Sequence, residues 1–343
     1  MISSDTYKLR HLTVEELGLP LPSASNEEPP VKGPIKTASE SPLDDDDDVL
    51  ITIRDIMKDG YAGAIFAGSP GTGKTWYARK VAVTLARSDE SRTAFVQFHP
   101  SYQYEDFVQG FDATTNGWVL GNRVFAAMCA SALDNPDDQF VLVIDEFSRT
   151  DVARVFGEAL TYIETSKRGM PFKLQSGEEM TVPPNLFIIA TMNPWDRGVD
   201  DLDVAMERRF ATVEFPPNSD VLAAQLSKTQ MSESLQAGVI KFFNALQEQD
   251  NEHCRIGHAY FNSASDEASL NRLWKFRLFP HFQRAARLDR NLLKRVESLW
   301  ASMVLAKMTS TTAAPASAEA TDDVDRHTST TKVQLETDIP PST

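Results

Sequence analysis

The stretch GSPGTGKT, residues 68–75, carries the residue types that hold a phosphate chain. Gly68, Gly71 and Gly73 let the backbone wrap closely around phosphate oxygens and point its N–H groups at them, with Ser69, Pro70 and Thr72 completing the turn. Lys74 adds a cation, and Thr75 offers a hydroxyl to Mg²⁺. A second stretch, VLVIDE at 141–146, ends an apolar run in two carboxylates. Asp145 is expected to hold the hydrated metal, and Glu146 to orient and polarise an attacking water. A third, NLFIIATMNP, ends in Asn193, whose amide can position the same water if its strand lies beside the acidic one; an asparagine turn before Pro194 is the plainer alternative. In ERRF, Arg208 and Arg209 cannot easily reach their own phosphate loop. They are read as a finger reaching a neighbouring subunit, against the alternative of a surface basic pair.

Such chemistry needs a strand before the phosphate loop and a helix after it. AIFAG (64–68) and TWYARKVAVTLARS (75–88) supply them. Further strands are expected at 93–98, 140–144 and 185–191, with a helix over NRVFAAMCASAL, so the pattern predicts an α/β domain with a parallel sheet covered on both faces. Between the acids and Asn193, VFGEALTYIETSKRG reads as a helix, and FKLQSGEEMTV as a hairpin turning at Ser176-Gly177. From about Ser219 the pattern becomes helical, in VLAAQLSKTQ, LQAGVIKFFNALQEQD, LNRLWKFRLFPHF and NLLKRVESLWASMVLAKM. The division is a leader at 1–49, an α/β domain at 50–218, a small helical domain at 219–308 and a tail at 309–343. Leader and tail are rich in proline, serine and acids, a composition that cannot offset its ordering entropy, although Tyr7 to Leu19 can form one short helix.

The net charge of −15 is concentrated at the ends. Residues 1–50 hold 11 acids against 4 bases and residues 309–343 hold 6 against 2, which leaves −4 for the rest. A balanced core neither demands nor excludes nucleic acid. The two cysteines, Cys129 and Cys254, make neither a disulfide framework nor a zinc site, and no apolar run is long enough for a membrane helix. A cytoplasmic protein with no membrane partner is expected.

With these residues in place, the chain from about 51 to 307 resembles the AAA+ NTPases, and more narrowly the McrB subunits of modification-dependent McrBC restriction systems. FHPSYQYEDFVQGF (98–111), VFGEAL…IE…KRG, VPPNLFIIATMNPWDRG, ERRF and IGHAYF (256–261) are similar to that family's blocks. The resemblance implies an AAA+ P-loop NTPase fold with a small α-helical lid, GTP or ATP with Mg²⁺, and a hexameric ring. It also implies a McrC-like endonuclease partner, DNA reached through the complex, and a hairpin that faces the pore or a bound partner. Three departures stand out. MNPWD replaces the usual M-N-T-A-D, Glu207 replaces a common basic residue, and about 50 leader residues stand where relatives often carry a domain reading modified DNA. DEFSR and ATMNP also resemble MoxR-like remodelling chaperones, which work with partners of the von Willebrand A type. Tyr102, Tyr104 and Phe107 read as packing rather than base stacking, His99 as structural, and His258 as structural with a role near the nucleotide as the alternative.

Overall fold

The computed structural model describes residues 41–114, 117–195, 206, 208–287 and 289–302. The helix expected at Tyr7 to Leu19, the tail from 309, and Glu207 lie outside the described residues. Five strands, β1 (Gly63–Ala67), β2 (Thr93–Gln97), β5 (Phe140–Asp145), β8 (Leu186–Met192) and β9 (Phe210–Glu214), form one parallel sheet in the order β2-β5-β8-β1-β9. Alternate residues of each strand feed opposite cores. Ile65, Leu142, Ile144 and Ile188 join the aromatic cluster of Phe98, Phe107, Phe125, Phe147 and Phe156, while Phe66, Val141, Val143 and Ile189 pack beneath Leu50, Ile53 and Val81. Burial on both faces is what wrote these strands as uninterrupted apolar runs.

The described part of the expected leader, 41–49, is built into this domain. Asp47 accepts from the N–H groups of Val49 and Leu50 and so caps α1 (Asp48–Lys58), which buries Leu50 and Ile53. Leu43 packs on the same core and donates its N–H to Thr84 Oγ1 at 2.8 Å. Part of the aspartate run is therefore a helix start, where carboxylates satisfy orphan N–H groups and face the positive end of the helix dipole.

After β1, α2 (Lys74–Leu85) runs from the phosphate loop, and α3 (Tyr104–Phe107) precedes an unexpected hairpin of β3 (Gln109–Thr114) and β4 (Gly117–Asn122). The Asn116-Gly117 pair is a strong hairpin signal that the sequence carries. The helix α4 (Val124–Asp134) follows. The second hairpin, β6 (Pro171–Lys173) with β7 (Glu179–Thr181), stands where expected. Gln109 ties the two hairpins together, donating to Glu178 Oε2 at 2.5 Å and accepting from Ser176 Oγ at 2.7 Å.

The single helix expected before the second hairpin is instead two short ones, α5 (Val152–Phe156) and α6 (Ala159–Tyr162), broken at Gly157. Gly157 takes φ +53, and a Cβ there would meet the Tyr104 ring at 2.8 Å. The buried guanidinium of Arg168 then gathers the carbonyls of Ile163, Leu186 and Ala62, pinning the entries of β8 and β1; burial lowers its pKa to about 10.

The lid has its own core around Phe242, Phe243, Phe282 and Trp300. It consists of α7 (Ser219–Leu226), α8 (Glu233–Gln247), α9 (Glu267–Leu273), α10 (Phe279–Ala285) and α11 (Arg290–Trp300). Both cysteine thiols are free and buried, and burial pushes their pKa values up. No helix among the described residues is long and apolar enough to cross a membrane.

Candidate active site

The phosphate loop links β1 to α2 with Gly71 at φ +80 and Gly73 at φ +89. Gly73 is the N-cap of α2 and offers no side-chain acceptor, so the first N–H groups of a helix of 12 residues are left for an anion. Lys74 Nζ lies 2.8 Å from Gly68 O and 2.9 Å from Ser69 O, beside the loop it would serve. Pro70, Gly71, Gly73, Lys74 and Thr75 line a cleft of about 400 Å³. Ser69 and Thr72 are buried instead, with Thr72 Oγ1 donating to Ser69 O at 3.0 Å, so these two serve the loop through their backbone.

The sheet order places the two polar strand ends side by side, as the expectation for Asn193 required. In the register of β5 with β8, Ile144 faces Ala190, so Asp145 and Thr191 follow as neighbours. Asp145 Oδ1 accepts from Thr75 Oγ1 at 2.7 Å and from Thr191 Oγ1 at 2.5 Å. Thr75 and Asp145 are thus poised to share a divalent ion. Among the described residues there is no cluster of three or more His, Cys, Asp or Glu side chains able to hold a metal alone. A hard cation here fits the mode in which one carboxylate, a hydroxyl, waters and substrate phosphates share the coordination.

Glu146 leaves the strand in the left-handed region, φ 56 and ψ 43, a conformation costing a non-glycine residue about 1–2 kcal/mol. Its N–H donates to Thr191 Oγ1 at 3.3 Å and its Oε2 accepts from Arg149 Nε at 3.1 Å, so the carboxylate is held at the cleft wall. Asn193 lines the same cleft and is nine-tenths buried, and its Oδ1 accepts from the Trp195 N–H at 3.3 Å. Thr191, Arg149 and Trp76, which also line the cleft, were not singled out from the sequence. Trp76 directly follows the loop and is 49% exposed, with Lys80 Nζ 4.6 Å from its ring centroid.

The lid closes one side of the cleft through IGHAYF. The Gly257 N–H donates to Pro70 O and the Ala259 N–H to Gly71 O, both at 2.9 Å. His258 is 9% exposed, its Nδ1 has no hydrogen-bond partner, and its Nε2 stands 3.9 Å from where a Cβ on Gly73 would lie. That places it at the phosphate end of the site rather than with the lid core alone. Burial lowers its pKa, so the imidazole is neutral near pH 7.

The two arginines separate. Arg208 is exposed. Arg209 is 9% exposed, its Nη2 lies 3.5 Å from Glu164 Oε2, and its carbonyl accepts from the Ala62 N–H at 2.9 Å. Of the two residues expected as the finger, Arg208 is therefore the one that presents its side chain to solvent, while Arg209 packs against its own domain. The aromatic block is packing, as expected: Tyr104 and Phe107 are buried, and burial raises the Tyr102 pKa to about 12.

Residues 63–210 match the AAA domain (dynein-related subfamily). The chain is 32% identical over 213 residues, 57% of its length and 46% of the relative, to the type IV methyl-directed restriction enzyme EcoKMcrB subunit of Escherichia coli (strain K12). It is 26% identical over 188 residues, 43% of its length and 55% of the relative, to the type II restriction enzyme BsuMI component YdiS of Bacillus subtilis (strain 168). It therefore spans about half the length of these curated relatives. A solved putative ATPase from Cytophaga hutchinsonii aligns over 73% of this chain and 87% of that one, at TM-score 0.35 and 14% identity. The AAA match takes in the phosphate loop, the acidic strand and the strand that leads into Asn193, and over that span the chain is similar to McrB-like AAA+ proteins.

Proposed function

We propose that this chain hydrolyses a nucleoside triphosphate, GTP or ATP, as the ring-forming motor subunit of a DNA restriction complex in the cytoplasm, and that a McrC-like endonuclease subunit makes the cut. The observation that carries the reading is the convergence of Lys74, Thr75, Asp145, Thr191 and Glu146 on one cleft at the N-terminus of α2. The restriction names of both relatives favour this reading over a MoxR-like chaperone. In the proposed reaction the loop N–H groups and Lys74 hold the phosphates. Thr75 and Asp145 would hold Mg²⁺, which would supply neutralisation of the phosphate charge. Glu146 orients the attacking water with Asn193 beside it, and Arg208 supplies the finger to a neighbouring subunit's nucleotide.

Steady-state hydrolysis of GTP and ATP over a range of protein concentrations tests the whole reading. A rate per subunit that rises with concentration is expected, because Arg208 acts in trans, and a concentration-independent rate overturns the ring. GTP preference is expected from the McrB resemblance; strict ATP preference assigns the MNPWD departure a change of nucleotide.

Two variants separate the parts. Glu146→Gln is expected to keep nucleotide affinity and lower kcat on the order of 100-fold, because the amide retains the geometry but loses the base. An unchanged kcat moves water activation to another residue. Arg208→Ala is expected to lower kcat by at least tenfold, with activity partly restored when its subunits are mixed with Lys74→Ala subunits. Arg209→Ala is expected instead to lower Tm, since it removes a side chain that is nine-tenths buried just before β9.

A further inference from the structure

The lid carries a charge opposite to that of the chain. Between residues 272 and 295 stand eight lysines and arginines, every one of them exposed, and a single acid, in a protein of net charge −15. That acid, Asp289, is occupied as the N-cap of α11, accepting from the N–H groups of Asn291 and Leu292. None of the eight cations forms an ion pair with a described residue. Arg290, Lys294 and Arg295 stand on α11 opposite its buried side, Leu292, Val296 and Trp300. Between α9 and α10 the chain makes a π-turn over Trp274–Leu278, which leaves Lys275, Phe276 and Arg277 exposed in succession. Such widened turns recur at functional sites.

We infer that this face of the lid binds the phosphate backbone of a nucleic acid. Exposed cations on successive helices, free of salt bridges although Arg277 lies over the Tyr260 ring and Arg272 is near Asp266, are the electrostatic footprint of a polyanion, whose condensed counterions are released on binding. A protein partner is disfavoured, because an interface needs an apolar centre and the only large apolar side chain exposed among the described residues from 267 to 302 is Phe276, at 69%. The acidic C-terminal segment of the chain itself is disfavoured by charge: residues 309–343 hold 6 acids against 2 bases, a net −4 that matches at most half of the eight cations. The inference does not depend on the motor reading, since no residue of the nucleotide cleft takes part in it.

Binding of a fluorescent duplex of about 30 base pairs by the full chain, titrated against salt, tests it. With about five of the cations engaged, the slope of log K against log salt is expected near −4.5. Arg290→Gln, Lys294→Gln and Arg295→Gln together are expected to flatten it by about 2.7 and weaken binding at least 30-fold near 0.1 M salt. Nucleotide hydrolysis by this triple variant is expected to be unchanged, which shows it folded. Lys74→Ala is expected to bind the duplex as the parent does, so that loss of the motor reading and loss of this one are told apart. No duplex binding near 50 mM salt, or an unchanged slope in the triple variant, overturns the inference. Two further outcomes also overturn it: binding that appears only once residues 309–343 are removed, which gives the face to the chain's own acidic segment, and capture by phosphatidylserine vesicles without capture of DNA.

Discussion

Lys74→Ala is expected to weaken nucleotide binding by about 1000-fold and to leave the fold standing. The cleft that receives the phosphates also contains Asp145 and Glu146, so a triphosphate entering it meets two carboxylates. Lys74 is the cation that offsets them from within the loop, its Nζ already beside Gly68 O and Ser69 O. Two unit charges 4 Å apart interact by about 4 kcal/mol at an effective dielectric near 20, which corresponds to roughly three orders of magnitude in affinity. The loop backbone does not depend on this lysine, because Thr72 Oγ1 holds Ser69 O and the lid holds Pro70 O and Gly71 O. Titration with a fluorescent triphosphate, paired with thermal melting, reads both effects. Binding of the variant within tenfold of the parent rejects the loop as the phosphate site; a collapsed Tm shows instead that the lysine is structural.

What the sequence could show divides along a physical line. The phosphate loop and the strands ending in Asp145 and Asn193 were legible because buried parallel strands are apolar runs, and a polar residue at the end of such a run stands out. β9 escaped because it is an edge strand with Thr212 and Glu214 exposed, so no apolar run marks it. The break at Gly157 escaped because it answers to the Tyr104 ring, a contact more than fifty residues away in the chain. Thr191 became a partner of Asp145 only when the register of β5 and β8 was fixed. The pairing of Arg209 with Glu164 is likewise something that no spacing within ERRF reveals. Residues whose role lies in their own strand or loop were visible. Those whose role is a long-range contact were not.

Gly257→Ala is the sharpest case of the second kind, and it is expected to lower kcat/KM at least 100-fold. The backbone at Gly257 is ordinary, φ −78 and ψ 161, so any residue could adopt it. Space is what forbids one: a Cβ there would lie 2.1 Å from both C and O of Gly71 and 2.4 Å from Thr72 N. These are backbone atoms of the phosphate loop and cannot rotate away as a flexible side chain would. Relief requires lid and loop to separate by more than 1 Å, which breaks the two hydrogen bonds to Pro70 O and Gly71 O and withdraws His258 from Gly73. A displacement of that size at a reacting centre costs on the order of 100-fold. The lid core around Phe242 and Trp300 does not include this contact, so the lid itself is expected to stay folded, with overpacking at the seam costing about 1–3 kcal/mol. Gly177→Ala is the control. Gly177 has φ +86 in the hairpin turn but nothing within 4 Å of its added Cβ, so it is expected to lose about 1 kcal/mol of stability at unchanged kcat/KM. The pair distinguishes crowding from backbone strain. Unchanged kcat/KM in Gly257→Ala shows that the lid does not rest on the phosphate loop during turnover, and that the seam is a resting contact alone.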